Sequence, residues 1–229
     1  MSEDFRRKLD FPRAYKEGKQ DFYGREFLVS PDVLIPRPET ELMIDAVKNL
    51  AGKAYLPGVK AGEARLSKRP RILDVGTGSG CVAATLKLEI LEAEVMACDV
   101  SPKALDTARE NARRLGAKVE FIESDLLNNV EGEFEVIVAN LPYVDRSWEW
   151  LNAPESSGLK YEPETALYAG DGGCALIFEL IKQAAGRTKW LVLEADPCQH
   201  GRIVELARKF EFELEEIRGF QIILCTHQG

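Results

Sequence analysis

The sequence predicts an α/β fold: a mostly parallel, seven-stranded sheet wound in both directions, with helices on both faces and the last strand antiparallel. Three observations predict it. From residue 71 onward, short apolar runs of strand length alternate with longer amphipathic segments, the rhythm of right-handed crossovers on a parallel sheet. The first of these runs, RILDV, leads straight into GTGSG, at the strand end where wound sheets place a ligand loop. The last two runs, FELEEI and GFQIILCTH, are joined by little more than Arg218-Gly219. A connection so short is no crossover and demands an antiparallel pair.

Taken in order, residues 1–20 are polar and are expected to be only partly ordered. From residue 21, DFYGREFLVSPDVLIPRPE has two short apolar stretches, broken by Gly24 and by Ser30-Pro31-Asp32. They read as a β-hairpin, or as extended pieces lying against a larger body. A helix is expected from about Pro38, with Leu42, Met43, Ala46, Val47 and Leu50 on its apolar face and Glu39 and Glu41 in its first turn. The stretch 51–70 reads as a long surface loop. After RILDV and the glycine loop, a helix is expected from about Ser79 to Leu91, and EVMACDV is the second strand of the sheet. Ser101-Pro102 opens another helix, because serine caps well and proline suits the first helical position. KVEFIESD, FEVIVAN and KWLVLEAD are further strands, with helices at about 172–186 and 198–210. The division this suggests is an N-terminal stub and hairpin over 1–37 and one main domain over 38–229.

A composition of 45% hydrophobic and 30% charged residues is that of a globular chain. Without an apolar run of about 18 residues, no membrane partner is expected, and MSEDFRRKLDFPR lacks the apolar centre of a secretory signal. The five cysteines show no C-x-x-C pair, and Cys81, Cys98 and Cys225 lie in or beside apolar stretches. Buried, reduced thiols and a cytoplasmic location fit this best. With only His200 and His227, no metal site and no histidine-dependent triad is expected. The net charge of −8 argues against nonspecific nucleic-acid binding. Arg6-Arg7-Lys8 and RLSKRPR (65–71) read as solvated loop charge.

Gly76, Gly78 and Gly80 permit a tight turn and a close approach of backbone to ligand. The dinucleotide pattern G-x-G-x-x-G would need glycine at position 81, where Cys81 stands, and the Gly-Lys-Ser/Thr ending of a P-loop is missing. Asp74, just before the loop, would repel a pyrophosphate but suit an ammonium or sulfonium. Asp99 ends the second strand of the sheet, where a carboxylate can take both ribose hydroxyls. Asp125 ends the third, beside an adenine. A nucleoside with positive charge and no phosphate is S-adenosylmethionine. Singly, each residue also fits a turn or a helix cap; in register they favour a cofactor site. That site comprises Asp74, Gly76, Thr77, Gly78, Ser79, Gly80, Asp99, Asp125, Leu126 and Asn140. In VIVANLPYV (136–144) the fourth strand ends at Asn140, followed by Leu141-Pro142-Tyr143. Alone, that motif fits a proline turn with a packing tyrosine equally well.

Three strings resemble class I S-adenosylmethionine-dependent methyltransferases with a Rossmann-like sheet. More narrowly, they are similar to the release-factor glutamine N5-methyltransferase (HemK/PrmC) family. They are FYGREFLVSPDVLIPRPETE (22–41), ILDVGTGSGCVA with Asp99 following, and YEPETAL (161–167). The likeness covers about residues 12–200. It implies S-adenosylmethionine as cofactor and, as protein partner, a peptide-chain release factor whose Gly-Gly-Gln glutamine receives the methyl. Where the family usually has Asn-Pro-Pro-Tyr, this chain has Asn140-Leu141-Pro142-Tyr143. In that role the Asn140 side-chain oxygen and the Leu141 carbonyl accept the two amide N–H bonds, Pro142 restricts the turn, and Tyr143 stacks on the amide plane. A carboxamide nitrogen is a poor nucleophile because its lone pair is delocalised. Its methylation therefore depends on positioning and on drawing off positive charge more than on a strong base. By the same resemblance Arg37, Pro38, Glu39 and Thr40 lie at the substrate entrance, with no proton-transfer role for Glu39.

The chain departs from the family pattern at three places. Gly172 stands where an acidic residue is usual, with Asp171 adjacent. Asp196 replaces a glycine in LEADPCQ, which implies an altered turn. Only a short stub precedes Phe22, where relatives carry a helical domain, and this points to a compact variant or another protein substrate. A competing enzyme would methylate the exocyclic amine of adenine in RNA or DNA, because ribosomal RNA adenine dimethyltransferases spell the loop Asn-Leu-Pro-Tyr. A flipped adenine would stack on Tyr143 as readily as an amide. The acidic pI of about 5.1 and the PRPETE and YEPETAL strings count against that reading, and nucleic acid is not the expected partner. A non-catalytic cofactor-binding module is a further alternative, and the intact set of aspartates, glycines and Asn140 counts against it.

Overall fold

The computed structural model describes residues 11–52 and 65–226. Residues 1–10 of the polar N-terminal segment, and the centre of the expected 51–70 loop, lie outside the described residues. Residues 11–20 contain a short helix that sequence reading does not anticipate, α1 (Arg13–Glu17). Tertiary burial explains it: Ala14 and Tyr15 pack with Val29, Val33 and Ile35, and the Tyr15 hydroxyl donates to the Val33 carbonyl at 2.6 Å. The expected hairpin follows as β1 (Lys19–Phe22) and β2 (Arg25–Leu28), paired antiparallel.

A 3-10 turn, Pro38–Thr40, leads into α2 (Glu41–Leu50). Its buried face is Met43, Ile44, Ala46, Val47 and Leu50, whereas Leu42, expected on that face, is 38% exposed. The apolar stripe is rotated by one residue, and Ile44 takes the place of Leu42.

The main sheet is assembled from β3 (Arg71–Val75), β4 (Glu94–Asp99), β5 (Val119–Glu123), β6 (Phe134–Ala139), β7 (Thr188–Glu194), β8 (Phe212–Arg218) and β9 (Gln221–Thr226). Among the described residues it has seven strands in the order β5-β4-β3-β6-β7-β9-β8. All run parallel except β9, which is antiparallel to both neighbours, β7 and β8. The last strand is thus antiparallel as expected, inserted between the two strands before it. The helices are α3 (Cys81–Glu89), α4 (Pro102–Leu115), α5 (Glu164–Leu167), α6 (Ala175–Ala184) and α7 (His200–Arg208). Ser101 caps α4 with Pro102 at its first position, its hydroxyl accepting from the Ala104 N–H at 3.3 Å. Helix α3 is shorter than the expected Ser79–Leu91, because Ser79 and Gly80 belong to the turn before it. No described helix is long and apolar enough to cross a membrane.

Alternate strand residues feed two cores. Ile72, Val95, Val136, Val138 and Val192 face α2, α3 and the hairpin residues Phe22 and Phe27. Leu73, Val75, Ile137, Ala139, Leu191 and Leu193 face α6 and α7. Burial on both sides explains why these strands read as continuous apolar runs. Each buried aliphatic side chain contributes about 1.5–3 kcal/mol relative to exposure. Cys81, Cys98 and Cys174 are buried, whereas Cys225, expected among them, is half-buried.

The chain leaves β3 toward β4 and later returns to the other side of β3 with β6. That reversal makes the β3/β6 boundary the switch point, where a crevice opens beyond the strand ends.

Asn111 of α4, fully buried, fastens the hairpin to that crevice. Its Oδ1 accepts from the Leu28 N–H at 2.7 Å, and its Nδ2 donates to the carbonyls of Leu28 and Ser79, each at 2.9 Å. Asn111→Ala takes a partner from each of these backbone groups and is expected to cost about 2–3 kcal/mol. Urea unfolding, followed by circular dichroism, measures it.

Candidate active site

The crevice holds a cavity of about 360 Å³. Of the residues expected at a cofactor site, Asp74, Gly76, Thr77, Gly78, Ser79, Asp99, Asp125, Leu126 and Asn140 line it. Gly80 does not; it precedes α3 with φ +78. Leu141 and Pro142 also line it, as do Arg37 and Thr40. Pro38 and Glu39, expected with them, are exposed and border neither this cavity nor the one beside it. The 3-10 turn explains this, since it directs Thr40 inward and the two residues before it outward.

The glycine loop is held by its neighbours. The N–H groups of Gly76 and Thr77 donate to the Cys98 carbonyl at 2.9 and 3.0 Å. A Cβ on Gly76 would lie 2.9 Å from Leu141 Cδ2, so the loops after β3 and β6 meet there. Leu141, the residue that departs from the family spelling, is 4% exposed.

Asp74 is buried, and one carboxylate oxygen accepts from Thr77 Oγ1 at 2.6 Å and from the Ala83 N–H at 3.1 Å. Desolvation pushes its pKa up to about 7 against the opposing effect of those two bonds. Asp99 closes β4; its carboxylate accepts from the Gly78 and Ser101 N–H groups, each at 2.9 Å. Burial raises its pKa as well, and the backbone donors oppose the rise. Asp125 is exposed, and Leu126 is buried with φ +48. Val100, not anticipated from sequence, lines the cavity and is 61% exposed, an apolar surface on which a flat ring can rest.

A second cavity of about 310 Å³ shares Leu34, Arg37, Asn140 and Leu141 with the first. Asn140 and Leu141 are therefore the partition between the two. Tyr143, Trp148, Trp150, Glu194, Asp196 and Phe220 line the far side. Tyr143 borders this second cavity and not the first; its hydroxyl donates to Glu194 Oε1 at 3.3 Å and its carbonyl accepts from Gln199 Nε2 at 2.8 Å. Burial, and then the nearby Glu194 charge, raise the Tyr143 pKa. Asn140 Nδ2 donates to Thr40 Oγ1 at 2.9 Å, which leaves its side-chain oxygen for whatever occupies the partition.

The PRPETE and YEPETAL strings meet in an ion pair of Arg37 with buried Glu162, and Glu162 also accepts from the Ile35 N–H at 3.2 Å. Their charge complementarity was readable, but their contact across 125 positions was not. Asp171 does not stand in for the missing acid at 172. It pairs with Arg202 at 2.6 Å and lines neither cavity. Asp196 does alter the turn: its side chain accepts from the Cys198 N–H at 2.9 Å, while Gln199 Oε1 accepts from the Asp196 N–H at 3.0 Å. This reciprocal capping box starts the turn into α7.

Residues 61–153 match the family described as methyltransferase small domain. The chain is 43% identical over 196 residues to a release factor glutamine methyltransferase of Koribacter versatilis, covering 81% of this chain and 65% of that one. It is 34% identical over 214 residues to one of Dictyoglomus turgidum, covering 89% and 69%. A solved methyltransferase from Pyrococcus furiosus shares the fold, with a TM-score of 0.61 at 16% identity over 96% of each chain. The chain spans a little under two thirds of the length of the Koribacter relative. It aligns with the Dictyoglomus relative over 69% of that protein's length at 34% identity, and it belongs to the release factor glutamine methyltransferase family.

Proposed function

We propose that this protein transfers a methyl group from S-adenosylmethionine to the side-chain amide nitrogen of a glutamine, in the Gly-Gly-Gln motif of a peptide-chain release factor. One observation carries the reading. Asn140 stands in the partition between two cavities with its N–H side tied to Thr40, so it offers an acceptor to an incoming N–H donor. The names of the relatives in two bacteria support the same assignment.

The first cavity suits S-adenosylmethionine. It combines a buried carboxylate at Asp74, a turn of positive-φ glycines, Asp99 at a strand end and the exposed Val100 surface. No Lys-bearing phosphate loop is present there. When bound, S-adenosylmethionine supplies an electrophilic methyl. Asp99 holds the ribose, Asp125 and Leu126 flank the adenine, and the 76–80 loop passes under the methionine portion. From the second cavity, the amide donates its N–H bonds to Asn140 Oδ1 and the Leu141 carbonyl. Those bonds hold the nitrogen in line with the methyl and draw off the positive charge that develops on it. Tyr143 lies against the amide plane, and Pro142 limits the turn. In this reading residues 1–37 are an N-terminal stub and hairpin, 38–229 the methyltransferase domain, and the protein works in the cytoplasm.

Labelled methyl transfer tests the proposal with three substrates side by side: unmethylated release factor, the same factor with the Gly-Gly-Gln glutamine changed to alanine, and unmodified ribosomal RNA. Label on the intact factor alone is expected. Label on RNA alone would overturn it in favour of adenine methylation. Cofactor binding with label on none would favour a non-catalytic module.

A pH dependence follows from Asp74. Its pKa is raised to about 7 by burial, and a cation bound beside it favours the ionised form. Below that value binding must first release a proton, so affinity for S-adenosylmethionine falls by up to about tenfold per pH unit as pH drops below 7, and levels off above it. Calorimetric titration at several pH values checks this, and Asp74→Asn is expected to flatten the profile.

A further inference from the structure

Glu194 ends β7 and is 1% exposed. Three groups donate to it: the Thr40 hydroxyl, the Tyr143 hydroxyl at 3.3 Å and Gln221 Nε2 at 3.2 Å. An ionised carboxylate only accepts. Thr40 has a single hydroxyl proton, and with that proton given to Glu194 its oxygen is left as an acceptor. It takes the Asn140 Nδ2–H at 2.9 Å. The polarity of each bond thus dictates the next. Thr40 is itself 2% exposed, and although it precedes α2 its side chain makes no cap bond there. Its hydroxyl serves this relay instead.

We propose that Glu194 is a positioning residue which, through Thr40, fixes the Asn140 carboxamide with its oxygen toward the reacting nitrogen. This rests on the glutamine reading for its catalytic consequence, but the relay itself is a property of these three side chains. Were Glu194 a donor, as a protonated acid or as glutamine, it could donate to Thr40. The Thr40 proton would then be free to turn to Asn140. The carboxamide would flip and present its NH₂ to the substrate, where two donors would face each other. The same carboxylate anchors Tyr143, so one buried group orders both flanks of the Asn-Leu-Pro-Tyr loop.

The charge state of Glu194 is set by its surroundings on every side. Burial raises its pKa most, bonds from Thr40, Tyr143 and Gln221 lower it, and Glu39 raises it. Asp196 and Arg37 act on the neighbouring Tyr143. Protonation therefore comes above the usual carboxylate range. The folded pKa is raised, so the acceptor form that the relay needs is lost as pH falls.

The test uses the full chain with S-adenosylmethionine and unmethylated release factor. Glu194→Gln is expected to lower kcat by about tenfold to a hundredfold with a small change in KM for the cofactor. Thr40→Val should behave alike, and Thr40→Ser, which keeps the hydroxyl, should recover most of that loss. Wild-type kcat at saturating cofactor should fall on acidification, and Glu194→Gln should lose that limb. Because Asp74 acts through cofactor affinity, saturation separates the two. A readout independent of turnover is hydrogen exchange of the Asn140 side-chain NH₂ by NMR, slow in wild type and fast in Glu194→Gln and Thr40→Val. Unaltered exchange and kcat in those variants would overturn the relay. An inactive wild type would overturn the glutamine reading, and the exchange data would still decide the relay. Should Glu194→Gln fail to fold by circular dichroism, Thr40→Val carries the same comparison.

Discussion

Asn140→Ala is expected to lower kcat about a hundred- to thousandfold, the scale seen when one preorganised polar contact to a developing charge is removed. The effect on cofactor affinity should be much smaller. Asn140 stands between the cavities and reaches the substrate side with a single oxygen, because its nitrogen is held by Thr40. Removing it takes away the acceptor that aligns the amide, and the remaining Leu141 carbonyl cannot fix the second N–H. Asn140→Asp should be nearly as poor. It has the same shape, but it loses the N–H that Thr40 receives and places a charge beside the Thr40–Glu194 pair. Single-turnover methyl transfer at saturating cofactor measures both. A loss of less than about threefold in Asn140→Ala would place the reacting nitrogen elsewhere.

Gly173→Ala is expected to destabilise the protein by about 3 kcal/mol or more. Gly173 has φ +81, and a Cβ there would lie 1.9 Å from the Tyr143 carbonyl oxygen and 2.4 Å from Gln199 Nε2. Those two groups are hydrogen-bonded to each other at 2.8 Å. A methyl group must therefore push the Asn-Leu-Pro-Tyr backbone away from the turn before α7 and break that bond. The left-handed conformation adds about 1 kcal/mol of its own. Because Tyr143 is displaced, activity should fall together with stability. Gly170→Ala is the control: no atom lies within 4 Å of its Cβ position, and the change should stay within about 0.5 kcal/mol. Urea midpoints of the two variants settle the comparison.

Much of the fold was legible because strands buried on both faces are continuous apolar runs, and Ser101-Pro102 announces its helix without help from tertiary structure. The crevice was legible for a topological reason. Asp74, Gly76, Asp99 and Asn140 each follow a strand of the parallel set, and a wound sheet brings such ends together. What stayed hidden depends on contacts far apart in sequence. Glu194 looks in the sequence like any acid at a strand end, and nothing in its spacing announces Thr40 or Tyr143. Asn111 reads as a polar residue of a charged helix, yet it is fully buried and holds Leu28 and Ser79. Arg37 and Glu162 each sit in a recognisable string, but only the fold joins them. The helix at residues 13–17 forms in a polar stretch because Tyr15 finds a buried partner in Val33. Leu42 shows the opposite failure: an apolar residue at a plausible helical position that stays at the surface.

The most direct measurement is the chemical identity of the product. Unmethylated release factor is incubated with this protein and S-adenosylmethionine, digested, and the Gly-Gly-Gln peptide sequenced by tandem mass spectrometry. The account predicts a single added methyl on the side-chain nitrogen of that glutamine, absent with Asn140→Ala. An unmodified peptide from the active wild type, alongside N6-methyladenine in an RNA offered to the same preparation, would contradict it.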